Sequence, residues 1–350
     1  MSRIPVAVLA ATGAVGQRFV QLLENHPWFE IVAVTGSPRT IGKKYSESES
    51  WLLSTDIPES VRDLEVLPST PEKVNTPLVF SALPASEAKE IEPIFAEAGT
   101  AVCTNAGAFR RDPHTPILLP EVNPEHIALI HAQRTAHNRE GFIVTNPNCT
   151  STGMTIALKA LQNAFGVKRV FAASMQAISG AGYPGVPSLD ILGNVIPYIG
   201  GEEEKVTWEP RKMLGKVENG KLEMADIGFS FHANRVPVID GHTLVMTVEL
   251  ADPPVNFDLV ADALSGYQSP AVSRTLPSAP QPPIRVRTES DRPQPRLDIA
   301  DGMTTVVGRI RPDDLFDLRM VVVSHNTIRG AAGGSIYNAE LLVEQGFVSR

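Results

Sequence analysis

Only two cysteines, Cys103 and Cys149, occur in 350 residues. They cannot build a disulfide framework and form no Cys-x-x-Cys pair, so each thiol has to be explained individually. Long apolar runs are missing too. None approaches the roughly 20 residues that span a bilayer, and the opening "MSRIPVAVLAATG" runs into a glycine turn instead of a cleavage site. Excess positive charge is absent: the formal net charge of −8 argues against nucleic acid or an anionic membrane as the main partner. The eight histidines include no His-Glu-x-x-His and no His/Cys cluster at ligand spacing, so no metal is expected. These exclusions leave a soluble, cytoplasmic chain, long enough for two domains.

What is present alternates. "PVAVLA" (5–10) reads as a buried strand, residues 15–27 place Phe19, Leu22 and Leu23 on one helical face, and "FEIVAVTG" (29–36) is a second strand. Further strands are predicted at 77–83, 100–106 and 141–146, with a helix at 86–99. Such alternation implies a mainly parallel sheet covered on both faces. From residue 168 the texture changes to long β-rich runs at 168–179, 242–250, 303–310 and 317–324, more typical of an antiparallel or mixed sheet. The expected fold class is therefore α/β. A Rossmann-type domain over 1–148, completed by a C-terminal helix within 326–350, is joined to an α+β domain over 149–325. The proline-rich stretch 275–295 is expected to be an extended surface connection inside the second domain.

In "VLAATGAVGQRF" a strand is followed by Thr12, Gly13, Ala14, Val15 and Gly16, then a helix. Glycines let the backbone approach a pyrophosphate, and the helix offers its free N–H groups. Ala10 and Ala11 stand where the usual fingerprint has another glycine. NAD-binding proteins generally carry an acid at the end of the second strand, about 20 residues later. This chain has Thr35-Gly36-Ser37-Pro38-Arg39 instead. A hydroxyl and a guanidinium suit a 2′-phosphate, so the expected cofactor is NADP, with Ser37 and Arg39 as its contacts.

Cys149 follows a strand and Asn-Pro-Asn and opens a helical pattern. A nucleophilic thiol has to be a thiolate, and a helix N-terminus lowers a cysteine's pKa and supplies N–H groups for an oxyanion. Cys149 is thus expected to be an activated nucleophile, and Cys103, inside a strand, a buried core residue. An acyl-transferring cysteine also needs a proton shuttle. Spacing alone leaves His242, His232 and His325 as candidates, His242 having the most suggestive context in "ANRVPVIDGHTL".

With "NPNCTSTG", "QAISGAG" (176–182), "IGGEEEKVTWE" (199–209), "NRVPVIDGH" (234–242) and "NTIRGAAGGSIYNAE" (326–340) in view, the chain resembles the aspartate-β-semialdehyde dehydrogenases over nearly its whole length, in their archaeal and fungal branch. The resemblance implies Cys149 as nucleophile, His242 as acid–base residue and Gln176 as the residue positioning the acyl group. It implies Arg235 on the substrate carboxylate and Glu203 on its ammonium, with Glu202 and Glu204 one position away. Lys205 and Arg110 match phosphate-binding positions, Asn105 and Gly180 lie in the substrate motifs, and Ser81, Gly182 and Asn326 fall on the cofactor side. It further implies reductive dephosphorylation of L-4-aspartyl phosphate to L-aspartate-4-semialdehyde and phosphate in lysine, threonine and methionine biosynthesis, by a homodimer or homotetramer. Competing readings are a malonyl-coenzyme A reductase, an N-acetyl-glutamyl-phosphate reductase and, from another class, an inactive NADP-sensing protein.

Overall fold

The computed structural model describes residues 3–349. Strands β1 (Ile4–Leu9), β2 (Phe29–Thr35), β3 (Val66–Leu67), β4 (Leu78–Ser81), β5 (Ala101–Thr104) and β6 (Phe142–Thr145) form one sheet in the order β3-β2-β1-β4-β5-β6. Every pairing in it is parallel. Helices α1 (Ala14–Leu23), α2 (Ala85–Glu97) and α3 (Leu129–His137) connect its strands. Each residue of β4, β5 and β6 is buried, which is why they read as unbroken apolar runs. Strand order reverses between β1 and β4, and a parallel sheet binds ligands beyond the carboxyl ends of its strands at that place.

The β1–α1 turn depends on close approach. A Cβ on Gly16 would lie 2.2 Å from the Ala10 carbonyl oxygen, so only glycine lets α1 sit this near the strand. Ala10 adopts φ 55°, a left-handed conformation that costs an alanine about 1 kcal/mol. Bonds from its N–H to Thr35 Oγ1 (3.1 Å) and from Gly13 N–H to its carbonyl (3.2 Å) hold it there.

The second domain contains β7 (Val167–Gln176), the small hairpin β8 (Lys216–Glu218) and β9 (Lys221–Glu223), and β10 (Gly228–Arg235), β11 (His242–Leu250), β12 (Ile284–Arg287), β13 (Thr305–Pro312) and β14 (Leu318–Ser324). Its main sheet has the order β10-β7-β11-β14-β13-β12 and is mixed: β10–β7 and β12–β13 are parallel, the rest antiparallel. Alternation decides its faces. Ala172, Ser174, Gln176, Leu244, Met246 and Val248 point inward, the apolar ones among them sharing a core with Met154, Ile156 and Leu158 of helix α4 (Cys149–Phe165). Phe171 and Val245 point outward, 37% and 40% exposed. Helices α5 (Glu202–Met213) and α6 (Asp258–Ser265) lie between strands in sequence.

Helix α7 (Gly333–Glu344) returns to the first domain, where Ile336, Tyr337, Leu341 and Leu342 pack with Phe19, Phe80 and Phe142. The proline-rich stretch departs from expectation. Its first half is a strap across the domain boundary, because Leu276 is buried in the first domain's core. The buried Glu340 carboxylate on α7 needs donors and takes them from the Ser278 N–H and hydroxyl and from His26 Nε2. Only at Ile284 does the chain join the second sheet.

Candidate active site

Cys149 is the first residue of α4, directly beyond β6. The Asn148 side-chain oxygen caps the helix, accepting from Thr150 N–H (2.8 Å) and Ser151 N–H (3.1 Å). His242 opens β11 and places Nε2 3.2 Å from the Cys149 sulfur. Ala177 N–H donates to His242 Nδ1 at 3.1 Å. A backbone N–H can only donate, so the neutral ring carries its hydrogen on Nε2, aimed at the sulfur. Burial, with Arg235 and His325 adding to it, lowers His242 to about 3, so the ring is neutral at physiological pH. The other two histidines make their contacts elsewhere. His232 packs edge-on against Phe171 at the outer face of the sheet, and His325 turns Nδ1 to the Thr327 and Ile328 N–H groups.

The cysteine environment differs from expectation. Burial pushes the Cys149 thiol up to about 12 and the Glu202 charge pushes the same way, against Arg110, Arg235 and the Thr150 hydroxyl. The helix start alone does not make a resting thiolate here, because a desolvated anion beside a carboxylate is disfavoured. The neutral His242 ring cannot take the proton without setting its own Nδ1–H against the Ala177 N–H. Alkylation of the free protein by iodoacetamide should therefore accelerate about ten-fold per pH unit from about pH 7 to pH 9, following the thiolate fraction. Glu202→Gln should speed it several-fold throughout, because the carboxylate that disfavours the thiolate is gone. A rate independent of pH across that range, measured by mass spectrometry, would show that a thiolate already rests there.

Around this pair the structure gathers charges of both signs. Glu202, at the start of α5, is the buried carboxylate of its run. It accepts from Asn148 Nδ2 (2.9 Å), Thr150 Oγ1 (3.0 Å) and Gln176 Nε2 (3.0 Å). Glu203, expected to meet the substrate ammonium, is instead exposed, and its carboxylate accepts from Ala233 N–H, because the helix turns it away from the sulfur. Glu204 is exposed as well and pairs with Arg111. Arg235 is buried at the end of β10, donates to Ala177 O at 2.7 Å, and interacts electrostatically with Cys149 and Glu202. A Cβ on Gly180 would come within 2.9 Å of the Arg235 guanidinium and 3.2 Å of the His242 ring, so a side chain there would enter the site. Lys205 is exposed one turn beyond Glu202. Arg110 is buried, its Nε donating to Asn146 O and its Nη2 to Asn105 O. The Asn105 amide has its oxygen and nitrogen buried without a hydrogen-bond partner among the described residues.

The nucleotide side is a cleft lined by Thr12, Gly13, Ala14, Val15, Ser37, Arg39, Glu49, Ala82, Gly182 and Tyr183. It adjoins a second one that shares Ala14, Val15, Gly182 and Tyr183 and continues to Ser179 and Asp240, the residue before the Gly241–His242 pair. Ser37 and Arg39 are exposed there. Two residues assigned to the cofactor by resemblance are occupied otherwise. Ser81 is fully buried at the end of β4, and Ala82 lines the cleft in its place. The Asn326 amide is engaged by Gly241 N–H and Ser179 Oγ, so it braces the turns on either side of the histidine.

The chain matches the family descriptions "Semialdehyde dehydrogenase, NAD binding domain" over residues 5–130 and "Semialdehyde dehydrogenase, dimerisation domain" over residues 158–329. It is 50% identical to the aspartate-semialdehyde dehydrogenase of Archaeoglobus fulgidus, covering 98% of this chain and 99% of that protein. This chain belongs to the aspartate-semialdehyde dehydrogenase family. The enzyme of Schizosaccharomyces pombe is 44% identical, with 98% and 99% covered. The crystal structure of the Candida albicans enzyme with NADP superposes with a TM-score of 0.91 at 41% identity, covering 99% of this chain and 100% of that one. Archaeal and fungal relatives thus stand together, as the 199–209 and 326–340 motifs implied.

Proposed function

We propose that this chain is an NADP-dependent aspartate-semialdehyde dehydrogenase, reducing L-4-aspartyl phosphate to L-aspartate-4-semialdehyde with release of phosphate. The observation that carries this reading is the Cys149–His242 pair, 3.2 Å apart, set between the buried Glu202 and Arg235. An α-amino acid presents an ammonium and a carboxylate, and a site with one acid and one arginine binds both ends. Malonyl-coenzyme A brings no ammonium and would leave Glu202 facing a second anion.

The Cys149 sulfur attacks the acyl carbon, the bond to the phosphate oxygen breaks, and phosphate departs with the electron pair toward Arg110 and Lys205, carrying the thiol's proton as hydrogen phosphate. A thioester remains on Cys149. Substrate ammonium offsets the Glu202 charge, the smaller of the two causes that raise the thiol, so loss of its proton is easier with substrate bound. The thioester oxygen meets the backbone N–H of Cys149, since the Thr150 and Ser151 N–H groups are held by the Asn148 cap. NADPH, when bound, supplies the hydride. His242 Nε2–H lies where it reaches either the oxygen on the reacting carbon or the sulfur, so it stabilises the oxyanion and then the departing thiolate. Gln176 is tied to Glu202 and Ser174, which keeps its amide at the acyl group's position.

The NADP cleft fits its group: Arg39 is exposed beside the end of β2, with no partner among the described residues, where a 2′-phosphate would sit. Arg39→Ala should raise the KM for NADP about ten-fold and leave that for NAD nearly unchanged, as loss of one charge-assisted contact requires. Equal effects on both cofactors in steady-state assays would remove Arg39 from the 2′-phosphate. The outward sheet face bearing Phe171 and Val245 supports assembly as a homodimer or homotetramer through the second domain. The reading as a whole is tested by supplying NADP and L-aspartate-β-semialdehyde with and without phosphate, beside NADPH and malonyl-coenzyme A. Phosphate-dependent reduction in the first mixture supports it, and oxidation of NADPH in the second alone overturns the substrate assignment.

A further inference from the structure

Helix α5 brings a second buried carboxylate to the site. Glu209 lies two turns beyond Glu202, on the same face, and is 1% exposed. Its oxygens are divided: Oε1 accepts from Arg110 Nη1 at 2.8 Å, and Oε2 accepts from the backbone N–H of Asn148, the residue before the nucleophile, at 2.7 Å. Arg110 is also fixed by two carbonyls, Asn146 O at 3.0 Å and Asn105 O at 2.8 Å. Those two bonds, from Nε and Nη2, already define the plane of the guanidinium. What Glu209 adds is a negative charge.

We propose that Glu209 is a positioning residue that serves as the resident counter-ion of Arg110 and thereby weakens the site's hold on inorganic phosphate. The proposal rests on Arg110 being the phosphate-binding residue of the reaction above. A buried guanidinium without a counter-charge holds an incoming dianion tightly, because the ion would complete a pair otherwise missing. With Glu209 in place the pair exists before phosphate binds and persists after it leaves. Two effects of losing Glu209 oppose each other: a looser Arg110 would weaken phosphate binding, and an uncompensated Arg110 would strengthen it. The carbonyl bonds decide between them, since they hold the guanidinium whether or not the carboxylate is present.

Glu209→Gln separates charge from geometry. Its amide oxygen still accepts from Asn148 N–H, and its NH2 replaces the carboxylate oxygen that faced Arg110. In phosphate-dependent reduction of NADP, Glu209→Gln should lower the KM for phosphate about ten-fold, or about 1.4 kcal/mol. The KM values for NADP and for the semialdehyde should stay within about two-fold of wild type, and Glu209→Asp, which keeps the charge, should hold the phosphate KM within about three-fold. A residue that merely braced the fold would raise KM values or lower kcat, and would not tighten phosphate. An unchanged or higher phosphate KM in Glu209→Gln overturns the proposal, and so does a shift in Glu209→Asp as large as that in Glu209→Gln. Where turnover is too slow to follow, protection of Cys149 from iodoacetamide by graded phosphate gives the constant under the same criterion. A wild-type protein indifferent to phosphate would instead overturn the reading of the reaction itself.

Discussion

Cys149→Ser should reduce phosphate-dependent oxidation of L-aspartate-β-semialdehyde to less than about one-thousandth of wild type while leaving the protein folded. The substitution changes one atom in a helix start otherwise held by the Asn148 cap and the Glu202 network. Its effect therefore falls on chemistry. A serine hydroxyl is far less acidic than a thiol, and the ring opposite is a neutral donor through Nε2–H, with Nδ1 engaged by the Ala177 N–H. Among the described residues, no group in contact with position 149 is arranged as a base strong enough to make an alkoxide. Steady-state rates with purified protein and a matched thermal melt check both halves. Residual activity above about one-tenth would point to a mechanism without a covalent step.

His242→Asn should lower kcat roughly 10²- to 10⁴-fold, the range expected for a group that moves or holds a proton in the transition state. NADP affinity should change little, because His242 lies in the second domain, at the start of β11. The wild-type pH profile should show no limb from a histidine near its ordinary value, since burial and the Arg235 charge lower this ring to about 3. Below that value the ring would gain a proton on Nδ1, opposite the Ala177 N–H, so activity that depends on the neutral form persists across the physiological range and is lost only in strong acid. A profile that titrated near pH 6.5, and lost that limb in His242→Asn, would reverse the tautomer assignment.

Much of this was legible in the residues. Apolar runs in the first 145 positions reported strands buried on both faces, and alternation in 168–179 and 242–250 reported a sheet covered on one side. The Asn-Pro-Asn-Cys turn marked the nucleophile, since a strand, a cap and a helix in that order can be recognised locally. The choice among Glu202, Glu203 and Glu204 was not legible from charge, as all three are alike. Helix phase contained the answer: Val206, Glu209 and Met213 mark the buried face of α5, and Glu202 lies one turn before Val206. The pairing of Ala177 with His242 joins residues 65 apart through the second sheet, and no local pattern encodes it. Nor could composition show that Leu276 and Ser278, in a proline-rich stretch, serve the first domain's core and the buried Glu340. The raised Cys149 thiol was hidden for the same reason, because both its burial and the approach of Glu202 are tertiary.

The reaction turns on a covalent acyl group on Cys149, and that group can be trapped. The protein is mixed with NADP and L-aspartate-β-semialdehyde without phosphate, quenched within a turnover, and examined by peptide mass spectrometry. An aspartyl adduct is expected on the peptide containing Cys149, removed by adding phosphate and absent from Cys149→Ser. Reduction of NADP with no adduct on Cys149, or an adduct that persists in Cys149→Ser, would contradict it.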